Sequence, residues 1–210
     1  NKRLSGRCAR IGFFLKPPRK TRRASPYLMR KCYLVLHVFL RPGARMTDHE
    51  LMQLSEVVGL ALKQRGATLT TAESCTGGWV AKAITDIAGS SAWFERGFVT
   101  YSNEAKAQMI GVREATLEQH GAVSEPVVIE MAIGALKEAR ADYAISISGI
   151  AGPDGGSDVK PVGTVWFGFA TSKGEGITRR ECFSGDRESV RRQATEYALK
   201  TLWQQFLQNT

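Results

Sequence analysis

Thr71-Ala72-Glu73-Ser74-Cys75-Thr76-Gly77-Gly78 is the stretch from which the rest of the chain is read. Ala67 to Ala72 reads as a short strand and Thr76 to Ile87 as a helix, so the stretch is a strand-to-helix turn. Such a turn exposes the Ser74 hydroxyl and aims the amides behind it at a developing negative charge. Further along, Gly97 to Tyr101 reads as a second strand running into a helix that begins near Ser102 or Asn103. That second turn puts Lys106 in the first turn of its helix.

The elements on either side complete the pattern. Thr47-x-x-Glu50 is a capping box before a stripe of Leu51, Leu54, Val58 and Leu62 that stops at Gly66. Ser124-Glu125-Pro126 opens another helix with Val128, Met131, Ala135, Leu136 and Ala139 on one face. Tyr143 to Ser148 is a nearly continuous apolar strand, as a sheet covered on both faces requires. Val162 to Thr171 and Ile177 to Phe183 flank Ser172-Lys173-Gly174-Glu175-Gly176, which is hairpin chemistry. A helix from about Asp186 to Leu207 closes the chain. The expected fold is α/β: a three-layer α/β/α sandwich around a mixed, mostly parallel sheet closed by an antiparallel hairpin.

Charge divides the 210 residues in two. Residues 1–45 hold 13 Lys and Arg and no Asp or Glu, leaving 16 basic against 20 acidic residues in the remainder. A mildly acidic body behind a basic arm is not the footprint of a nucleic-acid-binding domain. The arm reads as a presequence, a basic tail or leader sequence ahead of a start at Met46, and residues 46–210 as one domain. Its longest apolar run, Cys32 to Leu40, contains His37 and is far shorter than the roughly 20 residues a membrane span needs. Cys8, Cys32, Cys75 and Cys182 show no metal or disulfide spacing, which fits a reducing cytoplasm.

Ser74 has two readings, helix N-cap and nucleophile. Gly77 and Gly78 favour the second, because they remove side chains where a substrate must approach the backbone. The amides of Cys75, Thr76 and Gly77 are then the candidate oxyanion hole. A serine needs a base, yet beyond the arm there are only His49 and His120, both read as surface residues. Lys106 is the better candidate, since burial and the helix dipole both favour its neutral form. Tyr101 is placed to orient it or to meet substrate.

The loop Gly149 to Gly156 leaves the carboxyl end of a buried strand, the usual ligand position in an open α/β sheet. Asp154 and Asp158 do not meet a calcium-loop spacing. Arg187 and Arg191 lie one turn apart and are candidates to grip a phosphate.

Four ordered blocks strongly resemble the CinA C-terminal domain family from about Met46 to the end of the chain: Thr71 to Gly78, Tyr101-Ser102-Asn103-Glu104-Ala105-Lys106, Ser148-Gly149-Ile150-Ala151-Gly152-Pro153-Asp154-Gly155-Gly156, and Lys160-Pro161-Val162-Gly163-Thr164-Val165. The resemblance is to the stand-alone form of the module. It implies hydrolysis of the carboxamide of nicotinamide mononucleotide to nicotinate mononucleotide and ammonia, in pyridine nucleotide recycling. It makes Ser74 the nucleophile and Lys106 its base, with Tyr101 nearby. Ser148, Gly149, Ala151, Gly152, Arg187 and Arg191 would meet the ribose phosphate. It implies no metal or organic cofactor and, at the level of the family, a homodimer. Two other readings stay open: a nucleotide-binding module linked to competence or DNA damage, and a Ser-Lys amidase for another amide.

Overall fold

The structure, a computed structural model, describes residues 46–208; the reading of residues 1–45 lies outside them. In chain order the elements are α1 (Asp48–Arg65), β1 (Leu69–Glu73), α2 (Trp79–Thr85), β2 (Phe94–Val99), α3 (Asn103–Ile110), α4 (Glu114–His120), α5 (Glu125–Ala139), β3 (Tyr143–Gly149), β4 (Thr164–Thr171), β5 (Gly176–Cys182) and α6 (Arg187–Leu202). A short π-helical turn, Trp203–Leu207, extends α6.

The sheet order is β2-β1-β3-β4-β5. β1 pairs in parallel with β2 and β3, while β4 pairs antiparallel with β3 and with β5. Four of the five strands therefore run one way and β4 alone is reversed, the mixed sheet and closing hairpin that the pattern led us to expect.

Alternation along β3 sorts the layers. Ile145 and Ile147 join a core with Leu54, Val58 and Leu62 of α1, Val80 and Ile84 of α2, and Val190, Ala194, Ala198 and Leu199 of α6. Ser146 and Ser148 face the other way, and their hydroxyls donate to Val128 O and Ala122 O at 2.6 and 2.8 Å. On that side Ala72 packs with Ile110, Leu117, Val127, Met131 and Ala135 from α3, α4 and α5. Each fully buried aliphatic side chain contributes about 1.5–3 kcal/mol, so two such layers secure the sheet on both faces.

Helix ends follow their chemistry. Thr47 and Glu50 form the expected capping box, and Gly66 ends α1 in the left-handed conformation. Arg192 of α6 then ties down the start of α1, pairing with Asp48 at 2.7 Å and donating to Met46 O at 3.0 Å. Among the described residues no helix is long and apolar enough to cross a membrane.

Connections from β1 lead to β2 on one side and, later, to β3 on the other. The carboxyl ends of β1 and β3 thus flank the point where strand order reverses, the crevice in which open α/β sheets bind ligands. Ser74 follows β1 there, and the glycine-rich loop follows β3.

Candidate active site

Ser74 is not a helix cap. α2 begins only at Trp79, behind Gly78, and the serine stands at the head of a tight turn in which Gly77 N–H donates to Ser74 O at 3.0 Å. Gly77 and Gly78 adopt φ of +61° and +95°. Side-chain-bearing residues resist that backbone region, so this requirement comes before the substrate-approach role that the sequence suggested for them.

The Ser74 side chain, 8% exposed, meets Lys106, 1% exposed. The Nζ lies 3.1 Å from Ser74 Oγ, 2.9 Å from Thr100 O and 3.4 Å from Tyr101 O. Ser102 caps α3 and places Lys106 one turn inside it. Burial lowers the Lys106 pKa to about 8. A neutral amine has two N–H donors and one lone pair. With the two carbonyls taking the donors, the lone pair is left for the serine proton.

Cys75 is no rival nucleophile, since burial pushes its thiol up to about 12 and keeps it protonated.

These groups line a cleft of about 220 Å³ together with Tyr101, Asn103, Ala122, Val123, Ser148, Gly149, Ala151 and Arg187. Ser148 is fixed through Ala122 O, and Gly152 O accepts from Arg187 Nη1 at 2.8 Å. Arg187 Nη2 also donates to Tyr101 Oη at 3.0 Å. Tyr101 is 60% exposed at the mouth; its carbonyl, not its phenol, meets the lysine.

Two expectations need correction. The Gly77 amide is spent on Ser74 O, which leaves Cys75 and Thr76 as the turn amides not donated to another backbone carbonyl among the described residues. Arg191 does not share the cleft with Arg187. Its Nε and Nη2 donate to Cys75 O and Thr76 O at 3.0 and 2.9 Å, and it borders a separate cavity of about 570 Å³ between α1, α2 and α6. One helical turn separates the two arginines in sequence, but Arg187 bonds Gly152 and Tyr101 at the cleft while Arg191 bonds the carbonyls of the Ser74 turn.

Sequence reasoning missed Asn103, Ala122 and Val123, and it missed Glu73. The buried Glu73 carboxylate accepts from the amides of Gly78, Val80 and Ala81 at 3.0, 3.0 and 2.8 Å. A glutamate ending an otherwise uncharged buried strand was the available signal.

Comparison with known proteins gives a consistent picture. The family described as CinA C-terminal domain matches residues 51–206. The chain is 88% identical over 165 residues to an Escherichia coli K12 protein named nicotinamide-nucleotide amidohydrolase PncC, covering 79% of this chain and 100% of the relative. It is 51% identical over 151 residues to the Pseudomonas putida protein of that name, covering 72% and 94%. Among solved structures, a Klebsiella pneumoniae competence damage-inducible protein A superposes with a TM-score of 0.73 at 46% identity, covering 76% of this chain and 99% of that one. An Agrobacterium tumefaciens competence/damage inducible protein gives 0.72 at 40%, covering 76% and 96%. With the family match spanning most of the described residues and the site assembled from the same blocks, the chain belongs to the CinA C-terminal domain family.

Proposed function

We propose that this chain hydrolyses the carboxamide of nicotinamide mononucleotide to nicotinate mononucleotide and ammonia, with Ser74 as nucleophile and Lys106 as general base. The observation that carries the reading is the buried lysine amine 3.1 Å from the serine hydroxyl, its pKa lowered to about 8. The names of the full-length relatives support the substrate class. A binding-only module linked to competence or DNA damage has no use for a buried lysine whose hold on its proton is weakened by burial, and nothing in the cleft favours a different amide.

Lys106 takes the Ser74 proton as Oγ bonds to the carboxamide carbon. The amides of Cys75 and Thr76 then face the oxyanion. Lys106 returns the proton to the departing nitrogen, the C–N bond breaks, and ammonia leaves an acyl-enzyme ester. Water attacks that ester while Lys106 takes its proton. The ester C–O bond then breaks, the proton returns to Ser74 Oγ, and nicotinate mononucleotide is released. Arg187 faces the phosphate, with Ser148, Gly149, Ala151 and Gly152 forming the wall beside the ribose and Tyr101 holding Arg187 at the mouth. The step recycles a pyridine nucleotide.

Incubating the protein with nicotinamide mononucleotide should release one ammonia per nicotinate mononucleotide formed, and turnover of other carboxamides in preference to it would move the substrate assignment. A chain begun at Met46 should keep both its melting temperature and its turnover, because Met46 is already packed against α6 and residues 1–45 differ in composition from the folded body. Loss of either property in that truncation contradicts the domain boundary.

A further inference from the structure

We propose that Glu73 and Arg191 are positioning residues, a pair of opposite charges that fixes the direction in which the Cys75 and Thr76 amides point during the amide hydrolysis proposed above. The inference rests on that reading of the site. It assigns a task to two buried or half-buried charges that lie outside the cleft and touch no reacting atom.

Glu73 is fully buried. A carboxylate there is costly unless hydrogen-bonded, and three backbone amides meet it at 2.8–3.0 Å. Those amides open α2, whose own N-cap position is Gly78 at φ +95° and carries no side chain to do the job. A serine or aspartate cap at 78 would need an extended backbone that this turn does not allow. The cap therefore comes from across the turn, and the same contact that starts α2 pins the base of the Ser74–Gly77 loop.

Arg191 acts on the loop's carbonyls. In a trans peptide the C=O and N–H of one unit point in opposite directions. Holding Cys75 O from the α6 side thus turns the Thr76 N–H away from α6. Holding Thr76 O turns the Gly77 N–H the same way, where it is found donating to Ser74 O. That bond in turn fixes Ser74 O and so the direction of the Cys75 N–H. A guanidinium on a carbonyl oxygen also polarises its peptide unit and makes the attached N–H a stronger donor. The fork is held in place by the Trp79 ring, 5.3 Å from the Arg191 guanidinium carbon. Gly77 leaves it room: a Cβ there would stand 3.3 Å from Arg191 Nη2.

The competing role for Arg191 is the phosphate grip, and a substrate without phosphate separates the two. Wild type, Glu73→Gln and Arg191→Lys, each as the full chain, are assayed with nicotinamide mononucleotide and with nicotinamide riboside, and their melting temperatures are recorded. Glutamine keeps the volume of Glu73 but turns an amide donor toward amide donors; lysine keeps the charge of Arg191 but not its fork. We expect kcat on the mononucleotide to fall about 100-fold in each variant, the usual cost of a weakened oxyanion donor, with KM little changed. The fall in kcat/KM should be the same for the riboside, and Arg191→Lys should melt close to wild type. If Glu73→Gln fails to fold, Arg191→Lys decides alone. A raised KM for the mononucleotide at unchanged kcat, with the riboside unaffected, overturns the proposal and makes Arg191 the phosphate ligand; unchanged kinetics in Arg191→Lys also overturn it. Wild type that releases ammonia from neither compound instead sinks the amidase reading itself, and this proposal falls with it.

Discussion

Ser74→Ala is expected to lose ammonia release by a factor of about 10⁴ or more while remaining folded, as removal of a serine nucleophile does when binding and oxyanion contacts survive. The structural cost is small because Ser74 caps nothing: its backbone bonds, Ser74 N–H to Ile147 O and Gly77 N–H to Ser74 O, do not involve the hydroxyl. What is lost is one contact to Lys106 Nζ, about 1 kcal/mol. The variant should therefore bind nicotinamide mononucleotide, measured by calorimetry, near the wild-type affinity. It should also form no covalent adduct in a mass spectrum taken after mixing with substrate. Residual turnover within tenfold of wild type would place the nucleophile elsewhere.

The order of layers was legible because hydrophobic period, caps and turns agree with one another along most of this chain. Thr47 and Glu50 marked one helix start, Gly66 its end, and Tyr143 to Ser148 the strand covered on both faces. Ser74 and Lys106 were legible for a different reason: each follows a strand at a turn, and two turns on neighbouring parallel strands bring their products to one edge of the sheet. Side-chain direction was harder to read. Arg187 and Arg191 share a helix and nearly a face, yet Arg187 reaches the cleft through Gly152 O while Arg191 is taken up by the carbonyls of the Ser74 turn. The helix period orders residues around one axis but says nothing of what stands beside each. The length of the β1 turn was misjudged for a related reason: Ser74 has the chemistry of a cap, and only the positive φ of Gly77 and Gly78 shows that the helix waits until Trp79. Glu73 was marked only by being a charge at the end of a buried strand, because its partners are backbone amides, which carry no sequence signature of their own.

Lys106 should show function and stability pulling in opposite directions. Lys106→Arg is expected to be inactive at every pH tested, since a guanidinium keeps its proton and cannot take one from Ser74. In the wild type, burial holds the lysine pKa at about 8, so kcat/KM should climb with pH and level off above that value as the amine becomes neutral. The same shift is a stability statement. The folded pKa lies below the ordinary value of 10.5, so the unfolded chain binds the proton more tightly. The resulting penalty is full below pH 8, shrinks between 8 and 10.5 and is gone above, and its full size is about 3 kcal/mol. Lys106→Met removes it but strands the carbonyl of Thr100, a loss of about 1–2 kcal/mol. At pH 7 the methionine variant should thus be inactive and more stable by about 1–2 kcal/mol in urea unfolding. As pH rises the advantage should fade, and above 10.5 the wild type should be the more stable protein. A methionine variant that is less stable than wild type at pH 7 and gains no relative stability on acidification would mean that the Lys106 pKa is not lowered in its pocket, and a lysine that holds its proton at its ordinary value cannot serve as the base.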